Sequence, residues 1–218
     1  DSGPGFVHPV SELELAARLA LFLWSSLPDQ ELLDLAKSGK LTQPDVIEAQ
    51  ARRLLADPRS NAFITNFAGQ WLHLRNLDSF HPDLRLFPDF DDNLRQSLRR
   101  ETELFFQSLV QENRSALDLL NADFTFLNER LAKHYGIPGV KGEGYEKVSL
   151  PKDSPRGGLL GMAAIHFMGG NGERTSPVER GAWVLRKLLH DPPPPAPANV
   201  PAITRLAGKV LTTHERLL

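Results

Sequence analysis

The chain has 218 residues, of which 41% are hydrophobic and 24% charged, and a formal net charge of −2. A chain of this length buries enough apolar surface to fold without covalent staples, and its interspersed charges leave no broad positive face for neutralising phosphates, which argues against a nucleic-acid interface. With no cysteine, disulfides, thiolate catalysis, cysteine zinc sites and haem attachment through Cys-x-x-Cys-His are excluded within these residues.

Asp1-Ser-Gly-Pro-Gly5 reads as a linker or a cut end without a charged-then-apolar leader, so the chain is expected to be a piece of something larger. Ser11 and Glu14 form a capping box, stapled by Val10 and Leu15, ahead of a helix from Glu12 to Trp24 whose apolar face is expected to be Leu15, Leu19, Phe22 and Leu23. The longest apolar run, Leu15 to Trp24, is broken by Arg18 and is about half of the roughly 20 residues a membrane helix needs. Asp29 caps a second helix that Gly39 ends. Thr42 with Asp45 caps a third, Val46 to Ala56, which Asp57-Pro58 stops.

A fourth helix is predicted over Arg59–Leu74, with Phe63, Phe67 and Trp71 forming a core stripe. Arg75 to Phe90 carries prolines and no steady period, and reads as an irregular connection packed by Leu84, Leu86 and Phe87. Asp91 then caps the longest helix, Asp92 to Glu112, with Leu94, Leu98, Phe105 and Leu109 on one side. Two short helices are predicted at Leu117–Leu120 and Asn128–Tyr135, the second closed by Gly136 and Pro138. Tyr145–Leu150 alternates weakly, as an edge strand or hairpin arm does. A helix from Pro155 to Phe167, a Gly169-Gly-Asn-Gly172 turn and a last helix from Pro177 to about His190 complete the pattern. The fold class is all-α: an irregular multi-helix bundle with a minor β-hairpin. The run Pro192 to Pro201 forms a C-terminal proline-rich extended segment, rising about 3.1 Å per residue. It serves as a spacer or strap, or as a protein-binding ligand.

Seven histidines are present, none paired at metal-binding spacing, and no Gly-x-Ser-x-Gly elbow occurs, so no nucleophile and no metal site is assigned. Asp89, Asp91 and Asp92 lack the glycine and distal glutamate of a calcium loop and read as capping residues. His166 and Met168 are soft, haem-compatible ligand types beside a glycine pair, but a turn-facing histidine and a core methionine is the favoured reading. Gly170 and Gly172 offer backbone amides, and Arg174, Thr175, Ser176 and Arg180 offer donors, for an anion at the following helix start. The alternative is that Ser176 caps that helix and the arginines pair with acids.

Residues 15–33, Phe67-Ala-Gly-Gln-Trp-Leu72, Leu74-Arg-Asn-Leu77, Glu101-Thr-Glu-Leu-Phe-Phe106, residues 123–136 and Arg174-Thr-Ser-Pro-Val-Glu-Arg-Gly181 with its following proline run together resemble the planctomycete-type secreted cytochrome-c-like proteins. The resemblance implies a helical domain of unknown function over 1–138 and the start of a cytochrome-like region over 139–218, packed on the first as one unit. It implies that Leu211-Thr-Thr-His-Glu-Arg-Leu217 leads toward a haem-binding Cys-x-x-Cys-His beyond this chain. It implies a secreted or periplasmic parent carrying haem c, with a downstream cytochrome-like domain or a redox protein as partner. The expected role is that of a non-catalytic module docking or orienting the haem domain; part of a haem-dependent oxidoreductase is the alternative. His166-Phe-Met168 departs from that pattern, which has small, β-branched or hydroxyl residues there.

Overall fold

The structure, a computed structural model, describes residues 9–170, 172 and 176–195. Of the proline tract it describes Pro192 to Pro195, without helix or strand; the rest, and the segment Leu211–Leu217, lie outside the described residues. The described chain is mostly helical, with one two-stranded antiparallel sheet. No helix among the described residues is long and apolar enough to cross a membrane. The described residues divide into two compact units, one made of those up to 69 with 103–116 and the other of 70–102 with those from 117 onward. The helix over residues 92–111 contributes to both.

In the first unit, α1 (Glu12–Trp24), α2 (Gln30–Lys37) and α3 (Pro44–Ala56) enclose the core. Ser11 caps α1 by accepting from the Glu14 amide at 3.3 Å, but Glu14 does not reach back: its carboxylate takes Arg18 at 2.5 Å. The buried stripe of α1 is Ala16, Ala20, Leu23 and Trp24, with Leu15 and Leu19 only partly covered and Phe22 58% exposed. Small side chains win the interior here because alanines four apart let a neighbouring helix approach closely, offering Leu32 of α2 and Leu54 of α3 a flat surface. Trp24 satisfies its ring N–H on the Leu54 carbonyl at 2.8 Å, and Arg59 lies over its face at 3.4 Å.

Asp29 caps α2 as expected, accepting from Leu32, and adds two bonds from Arg53 at 2.7 and 3.0 Å. The expected cap of α3 fails. Pro44 starts that helix without a side-chain cap, and the Thr42 hydroxyl instead donates to Glu12 at 2.6 Å.

The predicted helix over 59–74 is broken into a 3-10 turn (Pro58–Ser60), α4 (Asn61–Phe63), a π-helical turn (Ile64–Ala68) and α5 (Gly69–Trp71). The wider π turn keeps Phe63 and Phe67 stacked at 5.1 Å and 14°, both beside Phe106, while Trp71 falls in the second unit. The buried positions are Ile64, Ala68 and Leu72, and Phe67 is 41% exposed, so the aromatic stripe is not the core.

In the second unit the 75–90 connection is irregular as predicted, but Leu84, Leu86 and Phe87 are exposed, and Leu74 and Leu77 are the buried anchors. Asp91 caps α6 (Asp92–Gln111) by accepting from Leu94 at 2.7 Å, and Leu94, Leu98, Phe105 and Leu109 are buried along it as predicted. After α7 (Asp118–Asn121), β1 (Phe124–Leu127) pairs with β2 (Glu146–Ser149) in the register Phe124↔Ser149 to Leu127↔Glu146. α8 (Glu129–Tyr135), capped by Asn128 and closed by Gly136 at φ 70°, lies between them in sequence. The helix expected from Pro155 begins later: a 3-10 turn (Leu159–Gly161) and an extended Met162 precede α9 (Ala163–Met168). α10 (Pro177–Lys187) carries proline at its first turn and ends short of His190, which has a positive φ of 53°.

Candidate functional site

The second unit holds a cavity of about 410 Å³ lined by Phe80, Pro82, Phe87, His166, Phe167, Gly170, Gly172 and Arg180. It forms where α9, the glycines after it, α10 and the 75–90 connection meet. Glycine chemistry makes that meeting possible. A Cβ on Gly169 would stand 2.2 Å from Cγ of Arg180, so only hydrogen at 169 lets the arginine stem cross the backbone there. Gly172 takes a φ of 82°, where a Cβ would meet the His81 carbonyl at 2.8 Å, and its own carbonyl accepts from Asp83 at 2.9 Å. That bond ties the glycine turn to the irregular connection. Phe167 packs edge-on to Phe80 at 4.9 Å and stacks on Phe90 at 5.3 Å, giving an aromatic wall.

Two polar side chains enter this wall. His166 uses both ring nitrogens: Nε2 is 2.8 Å from the Leu160 carbonyl and Nδ1 is 3.1 Å from Nη1 of Arg180. A guanidinium only donates and a carbonyl only accepts, so the network assigns the neutral tautomer with hydrogen on Nε2. Burial pushes the His166 pKa down, and Arg180 and Arg156 add to this against the Leu160 hydrogen bond. Arg180 is half-buried, and its Nε has no hydrogen-bond partner among the described residues.

The structure thus brings together His166, Gly170, Gly172 and Arg180 of the sequence candidates. Met168 is half-buried at the end of α9. Ser176 acts as the cap of α10, accepting from the Glu179 amide at 3.3 Å. Arg174 and Thr175 lie outside the described residues. These residues contain no cysteine for thioether attachment of a haem, and both ring nitrogens of His166 are engaged in hydrogen bonds. Among the described residues no group of three His, Asp or Glu side chains could hold a metal ion.

Sequence reasoning missed a second polar constellation in the same unit. Glu101 of α6 is 1% exposed, accepting from the Thr125 hydroxyl on β1 and the Tyr135 hydroxyl on α8, each at 2.6 Å. Tyr135 in turn accepts from the Ala163 amide at 2.9 Å, and Arg156 covers its ring at 3.8 Å. Burial raises the Glu101 pKa to about 7, with Thr125, Tyr135 and Arg156 opposing it, and pushes the Tyr135 hydroxyl well above the usual phenol range. The available signal was positional. Glu101 lies three residues after Leu98 and four before Phe105, on the apolar stripe of α6.

Two family models match the chain. One, PSD4, is described as "Protein of unknown function (DUF1592)" and covers residues 10–137; the other, PSCyt3, is described as "Protein of unknown function (DUF1588)" and covers residues 156–218. No curated protein and no solved structure matches it. Because the first model spans more than half of its length, this protein belongs to the DUF1592 family of uncharacterised proteins.

Proposed function

We propose that this chain is a non-catalytic helical module of a larger secreted or periplasmic c-type-cytochrome-like redox protein, and that it orients a downstream haem domain. The observation that carries the reading is that residues 70–102 and 117–137 of the first family region share one compact unit with the described residues of the second. The indole N–H of Trp71, in the first region, donates to the Lys187 carbonyl, in the second, at 2.8 Å. Tyr135 accepts from Ala163 across the same division. Such bonds, partly shielded from water, fix Lys187 and Ala163 of the second region against residues of the first. The name of the second model and the resemblance read from the sequence supply the haem-protein context.

The test uses the parent protein with the residues that follow Leu218. It is expected to show a c-type haem spectrum, and Trp71→Phe together with Tyr135→Phe is expected to change the rate of haem reduction by an external donor while leaving the spectrum in place. A parent without haem, or a reduction rate indifferent to both changes, overturns the proposal.

A further inference from the structure

Keeping a guanidinium inside an aromatic wall is costly unless an anion answers it. Arg180 lines the cavity with one side-chain hydrogen bond, to a neutral imidazole, and with its Nε buried and unpartnered among the described residues. No carboxylate among the described residues pairs with it. The cavity's volume falls in the range of about 300 to 1,000 Å³ typical of small-ligand sites. Among the described residues its remaining side-chain lining, Phe80, Pro82, Phe87 and Phe167, is apolar. We propose that this cavity binds a small aromatic carboxylate, with the ring among Phe80, Phe87 and Phe167 and the carboxylate on Arg180.

Charge and shape select this class. One guanidinium offsets one negative charge, so a monoanion loses least on leaving water, whereas a phosphate dianion would bring a second charge into an apolar wall. The planar fork of arginine matches a carboxylate through two parallel hydrogen bonds. His166 holds the fork in place: its Nδ1 accepts from Nη1, and the Leu160 carbonyl fixes the ring that does so. Gly169 sets the height of the stem, since Cα of Arg180 already lies 3.1 Å from where a Cβ would stand. A neutral aromatic would fill the space and leave the charge unanswered.

The test is calorimetric titration of the chain with 2-naphthoate, its neutral counterpart 2-naphthamide, and inorganic phosphate. Naphthoate is expected to saturate and to bind about tenfold more tightly than naphthamide, as one added charge-assisted pair of about 1.4 kcal/mol requires. Arg180→Met, which keeps the stem over Gly169, is expected to erase that tenfold preference without weakening naphthamide, at an unchanged melting temperature. The comparison of the two probes on the unaltered chain stands even where the variant fails to fold. Equal affinity for the two, phosphate binding as tightly as naphthoate, or no binding of either probe, including by a chain that covers the cavity through self-association, each overturns the proposal.

Discussion

The two units of this protein solve the problem of an interior differently. The first buries alanines and leucines, with Ala16, Ala20, Leu32, Leu41 and Leu54 at zero exposure, and keeps its carboxylates, such as Glu12 and Asp29, at the surface or partly exposed. The second draws a carboxyl group inside and satisfies it over long sequence distances, from Glu101 to Thr125 and Tyr135. The lesson is that an apolar interior needs only close-packed surfaces, whereas a buried carboxyl group depends on specific partners that only the folded chain brings within reach.

That contrast is sharpest in its largest expected effect. Leu54→Ala in the first unit should cost about 2 to 5 kcal/mol, because a fully buried leucine leaves both lost transfer energy and a cavity. Denaturant unfolding checks this, and a loss below 1 kcal/mol would break the account of that interior.

The second unit should respond to pH in a way the first does not. Burial raises the Glu101 carboxyl to a pKa of about 7, from an ordinary value of 4.5. The folded state therefore holds this proton more tightly, so the stability it contributes is full below about pH 4.5 and is lost as pH rises through about 7. The whole effect is about 3 kcal/mol, to order of magnitude. His73, His134 and His166, whose pKa values are lowered chiefly by burial, act with the opposite sign. The informative quantity is thus the difference between the native chain and Glu101→Gln. That variant should gain on the native chain between pH 5 and pH 8, and a flat difference would show that the carboxyl group is not held neutral.

The smallest expected effect returns to the first unit. Asp29→Ala removes the cap of α2 and the partner of Arg53, and should cost about 1 to 2 kcal/mol. Adding salt should shrink the part due to Arg53, whose side chain is 30% exposed.

Much of the helix pattern in both units was readable from residues near one another. α1 has the predicted bounds, and Asp29, Asp91 and Ser176 cap the helices they were expected to cap. What failed was nonlocal. Phe22 lost the interior of α1 to Ala16 and Ala20 because helix approach, rather than side-chain hydrophobicity, decides which face turns inward. β1 went unseen because four residues, Phe124-Thr-Phe-Leu127, are too short to declare a period, although its partner near Tyr145–Leu150 was anticipated. The aromatic stripe of residues 63, 67 and 71 was split by a π turn that no residue type announces. The cavity residues His166, Gly170, Gly172 and Arg180 were all suspected from the sequence. Their aromatic neighbours Phe80 and Phe87 were not, since the 75–90 connection has no pattern from which to place them.

The tether from Trp71 ends on a main-chain carbonyl at position 187, so it is indifferent to which side chain stands there. Evolutionary drift at 187 should therefore be permissive, while position 71 must retain a long ring bearing a hydrogen to give. Related chains would be expected to vary freely at the receiving end and to stay conservative at the giving end.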